Sequence, residues 1–181
     1  TMFARPNRQH SQVAYVTNNI DAAIEVFRAE YDTPGFYVFT NVGTGSAEGG
    51  PQLRIGLARV GGVEIELIEP IGDTAPLFKD VLPAGDELTI RFHHVCIRID
   101  GPLENWDAHV ASLDLERHPV VFQGSLGEVM RFIYTDERKA EFLINNAMND
   151  QDYEWACREV RKLGLDPDKV PNTLPKPYAR R

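Results

Sequence analysis

The residues of this chain with the most chemical potential sit in Phe92-His93-His94-Val95-Cys96-Ile97-Arg98-Ile99. Their alternation predicts a strand. It puts His94, Cys96 and Arg98 on one face and Val95, Ile97 and Ile99 on the other. A histidine on the polar face of a strand can act as a base or bind a metal through a ring nitrogen. An earlier stretch, Gln12-Val13-Ala14-Tyr15-Val16-Thr17-Asn18, has the same form as His94 to Asp100. In both, a polar residue opens, apolar residues alternate, an Asn or Asp closes, and a helix-like pattern follows. The repeated unit is about half the chain, which marks a duplicated module.

Two more polar stretches belong with these. In Val63 to Pro70, Glu64 and Glu66 share a face with Ile68, opposite Val63, Ile65 and Leu67. Near the end, Phe142 and Ile144 face one way, and Glu141, Leu143 and Asn145 the other. Parity alone therefore collects Gln12, Glu66, His94 and Glu141 on an inner face, from the first and last strand of each half. An oxygen-rich set with one imidazole suits a divalent ion such as Mn, Fe, Co, Ni or Zn.

The elements that must position these groups are legible from period and punctuation. Gln12 to Thr17 is a predicted strand. Asn18 or Asn19 caps a helix whose Ile20, Ala23, Ile24, Phe27 and Tyr31 fall at helical spacing and pack on Val13 and Tyr15. Pro34-Gly35 ends it. Phe36 to Val42 is strand-like, and 43–51 is a Gly-rich hairpin loop without the lysine of a P-loop. Leu53 to Val60 and Val63 to Pro70 form a hairpin around Gly61-Gly62. Asp73 to Val81 is a short helix or irregular link. His93 to Ile99 then opens the second half, and Asp100 and Pro102 start a helix with Leu103, Trp106, Val110 and Leu113 as its apolar stripe. Arg117 to Phe122 is strand-like and 123–127 a turn. Glu128 to Thr135 and Ala140 to Asn145 form a hairpin. A final amphipathic helix spans 150–163, and a Pro-rich tail follows. Each half reads as strand, helix and about three strands, so the predicted class is α+β. The predicted modules are 1–85 and 86–148, with helix and tail over 149–181.

Composition narrows the functions. The chain has 181 residues, is 43% apolar and carries a net charge of −8, with a pI near 5.1. That balance excludes nucleic-acid binding through a basic surface. No apolar run reaches membrane-spanning length, and residues 1–12 are polar, unlike a signal peptide. The two cysteines, Cys96 and Cys157, fall in a predicted strand and a predicted helix. The expected setting is therefore a reducing cytoplasm with no disulfide framework.

Three segments together resemble the vicinal oxygen chelate superfamily, which includes glyoxalase I, methylmalonyl-CoA epimerase, extradiol dioxygenases and antibiotic-resistance proteins. They are Gln12-Val-Ala-Tyr-Val with Asn-Ile-Asp-Ala-Ala after it, Val-Gly-Gly-Val-Glu-Ile-Glu-Leu-Ile-Glu-Pro, and Phe-His-His-Val-Cys-Ile-Arg-Ile. The resemblance spans roughly 10–147 and is closest to the epimerase and glyoxalase-like branch. It implies paired βαβββ modules, a cup-shaped, mostly antiparallel sheet and one divalent metal. Matched onto this chain, Glu66 and His94 stand at ligand positions. Gln12 stands where most members have histidine, with His10 as the alternative. Glu141 is the acid of the last strand, with Leu143 or Ile144 as the alternative occupant of that position.

Two functions follow as expectations. The first is a metal-assisted lyase, isomerase or epimerase acting on a small oxygen-rich substrate. The ion would stabilise an enolate while a carboxylate, Glu66 or Glu141, moves the proton; Glu64 is a further candidate base. The second is a metal-free protein that binds a small molecule, lined by Phe92, Met130, Phe132 and Tyr134. The altered ligand set counts against an extradiol dioxygenase. A homodimer is expected.

Overall fold

The computed structural model describes residues 8–43, 52–72, 76–126 and 130–144, with the isolated positions 154, 157, 158 and 161. The elements run β1 (Arg8–Thr17), α1 (Ile20–Glu30), β2 (Tyr37–Gly43), β3 (Gln52–Val60), β4 (Val63–Ile71), α2 (Pro76–Lys79), β5 (Ile90–Asp100), α3 (Leu103–Val110), β6 (Val120–Leu126), β7 (Met130–Thr135) and β8 (Lys139–Ile144). The βαβββ order therefore occurs twice in an α+β chain. The chain divides into two compact units, Ser11–Cys96 and the residues from Ile97 onward with those before Ser11. The division falls inside β5, whereas the sequence reading places a boundary in the loop at 85/86.

In the first unit the strand order is β2-β3-β4-β1. The β3–β4 hairpin turns at Gly61-Gly62, where Gly61 takes φ +61, and pairs Val60 with Val63 through to Gln52 with Ile71. β1 runs parallel to β4, placing Gln12 beside Glu64 and Ala14 beside Glu66. A parallel pair needs a crossover, and α1 belongs to it. Asn19 caps α1 by accepting a hydrogen bond from the Ala22 N–H at 3.0 Å. Ile20, Ala23 and Phe27 are buried against Leu67, with Tyr15, Ile65 and Phe36 around them. Burying each large member contributes roughly 1.5–3 kcal/mol. Arg54 ties helix to sheet, reaching Asp21 at 2.9 Å and Glu69 at 2.8 Å.

In the second unit β8, β7 and β6 are consecutive neighbours. Their pairing joins Phe132 to Phe142 and Tyr134 to Ala140 on one side, and Gly124 to Phe132 on the other. Trp106 of α3 packs on Ile99, Ile133 and Leu143. The opposite sheet face is aromatic: Phe132 and Phe142 stack at 5.4 Å, and Phe122 and Tyr134 lie 5.7 Å apart.

β6 corrects one expectation. Residues 123–126 are strand and not turn, pairing with Ile133 back to Met130. Gly124, within the expected turn, makes room for the Phe132 ring, which a Cβ there would overlap. The Gly-rich loop at 44–51 and the tail lie outside the described residues. So does the final helix, except Glu154, Cys157, Arg158 and Arg161, which are helical.

Candidate active site

The first unit has two chemically different sheet faces. On β4, Ile65 and Leu67 point toward α1, so alternation puts Glu64, Glu66 and Ile68 on the other face. On β1, Tyr15 points toward α1, so Gln12, Ala14 and Val16 join the two glutamates. The parallel register sets Gln12 beside Glu64, and the Gln12 Nε2 donates to Glu64 Oε1 at 3.0 Å. Gln12, Glu64 and Glu66 are all buried, at 9%, 9% and 8% exposure.

β5 brings the imidazoles. Ile90 packs with the α1 cluster, yet His94, at the same parity, has its Nε2 3.7 Å from Glu66 Oε2. The two-residue alternation slips between them. As a result the adjacent imidazoles of His93 and His94 both turn inward, with their Nδ1 atoms 2.8 Å apart. His93 also reaches α2: its Nε2 is 3.0 Å from the Leu77 carbonyl oxygen, and its ring lies 4.9 Å from that of Phe78.

This burial sets the charges. Glu66 is pushed up to about 8, first by burial and then by the neighbouring Glu64 carboxylate. Among the described residues its Oε2 has no hydrogen-bond partner. His94 is pushed down to about 3, first by burial and then by His93. Near neutral pH the site therefore holds a largely protonated carboxyl facing an uncharged imidazole.

Glu141 does not share this setting. Within the second unit it pairs with Ile133 and shares the face of Leu143, both of which are core partners of Trp106 in α3. Its Oε2 lies 2.8 Å from His109 Nε2 and its Oε1 3.2 Å from Lys139 Nζ. Parity correctly grouped Glu141 with Leu143, but that shared face is the one that packs α3. The β8 positions on the face away from α3 are Ala140 and Phe142, so Glu141 is a core acid held by a helix histidine. Sequence reasoning missed His109. Its signal was its position three residues after Trp106 and four before Leu113, inside the apolar stripe. His10 is exposed, whereas Gln12 is buried.

The expected divalent ion can be tested against these donors. Among the described residues no group of three or more His, Cys, Asp or Glu is placed to hold a metal ion. Glu66 and His94 offer two strong donors, the Gln12 amide spends its N–H on Glu64 and keeps only its weaker carbonyl oxygen as a donor, and Glu141 is held by His109. The side chains described in the first unit do not complete a metal site.

No family model and no curated protein matches the sequence. Solved structures do match. Methylmalonyl-CoA epimerase from Mycobacterium tuberculosis aligns at TM-score 0.50 and 15% identity, covering 80% of this chain and 92% of that one. A variant of the Streptomyces coelicolor methylmalonyl-CoA epimerase, in complex with 2-nitronate-propionyl-CoA, aligns at TM-score 0.50 and 18% identity, covering 76% and 93%. The chain thus has the fold of these two methylmalonyl-CoA epimerases, with the βαβββ order occurring twice.

Proposed function

We propose that this protein is an isomerase or epimerase that removes and returns a proton next to a carbonyl group of a small, oxygen-rich substrate, with the Glu66 carboxyl as proton carrier. The observation that carries the reading is that carboxyl: buried, beside a second carboxylate, and held at about 8. A proton carrier works best when its pKa lies near the working pH, because both the loaded and unloaded forms are then populated. Glu64, anchored by Gln12, keeps the Glu66 proton from being lost at lower pH. His94 adds an uncharged ring on the same face. Burial keeps water from competing for the proton.

An acyl-CoA thioester is the first substrate class to test, because one structural neighbour was captured with 2-nitronate-propionyl-CoA. The ion expected from the resemblance finds two donors in the first unit, so no step is routed through it. The assay is hydrogen-to-deuterium exchange at the α-carbon of methylmalonyl-CoA in heavy water, followed by mass spectrometry, with and without added Mn, Co, Ni or Zn. Exchange that Glu66→Gln lowers by 10²-fold or more, as expected for removing a general base, supports the reading. Wild-type exchange no faster than background under every metal condition overturns it for this substrate class. Light scattering on the same sample reads the expected homodimer.

A second reading rests on the aromatic face of β6, β7 and β8, where Phe122, Phe132, Tyr134 and Phe142 form one ring cluster. Such a face suits an apolar or aromatic small molecule bound without chemistry. Thermal stabilisation by aromatic compounds, unchanged in Glu66→Gln and without any α-exchange, favours this reading over the first.

A further inference from the structure

We propose that Arg59 is a specificity-determining residue of the candidate active site, whose guanidinium binds a carboxylate that the ligand carries close to the group reaching Glu66. In the β3–β4 hairpin, Ile55, Leu57 and Arg59 stand opposite Ile68, Glu66 and Glu64. Directly opposed residues of an antiparallel pair share a face. Arg59 therefore lies on the face that carries Gln12, Glu64 and Glu66. The alternate residues of β3 fix the other face: a Cβ on Gly56 would lie 3.4 Å from the Ile20 side chain of α1, and Arg54 reaches Asp21 of the same helix. Arg28 holds Glu25 at 3.1 Å, and Arg54 holds Asp21 and Glu69. Among the described residues the Arg59 side chain has no such ion pair or hydrogen bond, although it stands across from an acid. On the far side of that acid, Glu64 Oε1 accepts from Gln12 of β1.

The face changes from wet to dry over this short distance. Arg59 is exposed beside the Gly61-Gly62 turn, whereas Glu64 and Glu66 are buried. Arg59 and Glu66 are diagonal neighbours across the ladder, a separation of about 7–8 Å that a long side chain spans. A ligand whose reacting atoms lie at Glu66 thus has its next few atoms within reach of the guanidinium. That group is permanently charged, and its planar fork of N–H donors matches the two oxygens of a carboxylate. A phosphate fits the same fork, but the closeness to Glu66 favours an anion on the reacting end of the ligand. The chain carries a net charge of −8, and two acids line this face. An anion gains by settling there only where a cation meets it. Anion binding follows from the placement of Arg59 alone; its service to proton transfer rests on the function proposed above.

The test follows the arginine Nε–H signals of the full-length protein in ¹H–¹⁵N spectra, with Arg59 assigned by the signal lost in Arg59→Lys. The protein is titrated at constant ionic strength with malonate, with its neutral analogue malonamide and with inorganic phosphate. Malonate is expected to shift the Arg59 signal saturably, and malonamide to leave it in place. By calorimetry, malonate affinity is expected to fall roughly ten- to hundredfold in Arg59→Ala, as for the loss of hydrogen bonds to a charged group. Arg59→Lys, which keeps the charge but not the fork, is expected to fall in between. Arg28→Ala removes the same charge from α1 and is expected to bind malonate like the wild type. A wild-type Arg59 signal that malonate does not move overturns the proposal, as does an equal loss of affinity in Arg28→Ala and Arg59→Ala. A shift with phosphate and none with malonate overturns the carboxylate assignment. The wild-type titration decides even if a variant fails to fold. Malonate bound through Arg59 without any α-exchange refutes the proton-transfer function and leaves the anion site standing.

Discussion

Replacing Glu66 by glutamine should make the protein more stable at alkaline pH. Glu66 titrates at about 8 in the folded protein, against an ordinary value of 4.5. Between those limits the folded protein holds a proton that the unfolded chain has released. Stability must then fall as pH rises, because the unfolded state binds fewer protons. Below 4.5 both states hold the proton and nothing is lost; above 8 the loss is complete. At about 1.36 kcal/mol per pH unit, the accumulated loss reaches roughly 5 kcal/mol. Glutamine keeps the shape and never ionises, so Glu66→Gln escapes this loss. Its amide also places N–H groups near the His94 Nε2. His94, held at about 3, acts with the opposite sign, lowering stability as pH falls through 6.5. That contribution is common to both proteins, so the difference between them isolates Glu66. The assay is urea unfolding followed by circular dichroism at intervals from pH 5 to 9. With a slope of about 2 kcal/mol per M urea, the variant's midpoint is expected to lead by less than about 0.5 M at pH 5 and by about 2 M at pH 8.5. Two midpoint curves running parallel across that range would refute the claim that Glu66 is buried as a neutral acid.

Two further outcomes test the second unit. Glu141→Ala leaves the buried His109 without the partner at 2.8 Å and is expected to cost about 3–5 kcal/mol in urea unfolding. The double replacement Glu141→Leu with His109→Phe is expected to recover most of that loss, whereas a cost below about 1 kcal/mol for Glu141→Ala contradicts its core role. Gly124→Ala drives a methyl group into the Phe132 ring and is expected to cost about 1–3 kcal/mol with a changed near-ultraviolet aromatic signal, whereas a spectrum and midpoint equal to wild type place that ring elsewhere.

Particular residues mark how far the sequence could be read. The Val-Gly-Gly-Val hairpin, a cap at Asn18 or Asn19 and the α1 stripe were legible, because each depends on neighbours within a few residues. Glu64 and Glu66 were placed on one face by alternation, which needs only local pleat. The length of β6 was misread because Gly124 serves a cross-strand contact with Phe132, a residue absent from its own neighbourhood. His93 was passed over because strict alternation sends it away from His94; the slip in β5 and the carbonyl of Leu77 turn it inward.

The sequence by itself determined the two βαβββ modules, the apolar faces of their helices and the grouping of polar residues along each strand. All of these follow from periods of 2 and 3.6 residues that any local stretch obeys. Only the tertiary structure decided which face each group meets. Gln12 and Glu64 are 52 residues apart and hydrogen-bonded, while Glu141 is turned onto α3 and held by His109. Whether a carboxyl becomes a surface acid, a core partner or a buried acid pushed up to about 8 depends on the water it loses and the charge it meets. Both are properties of packing between distant segments, to which local period is blind.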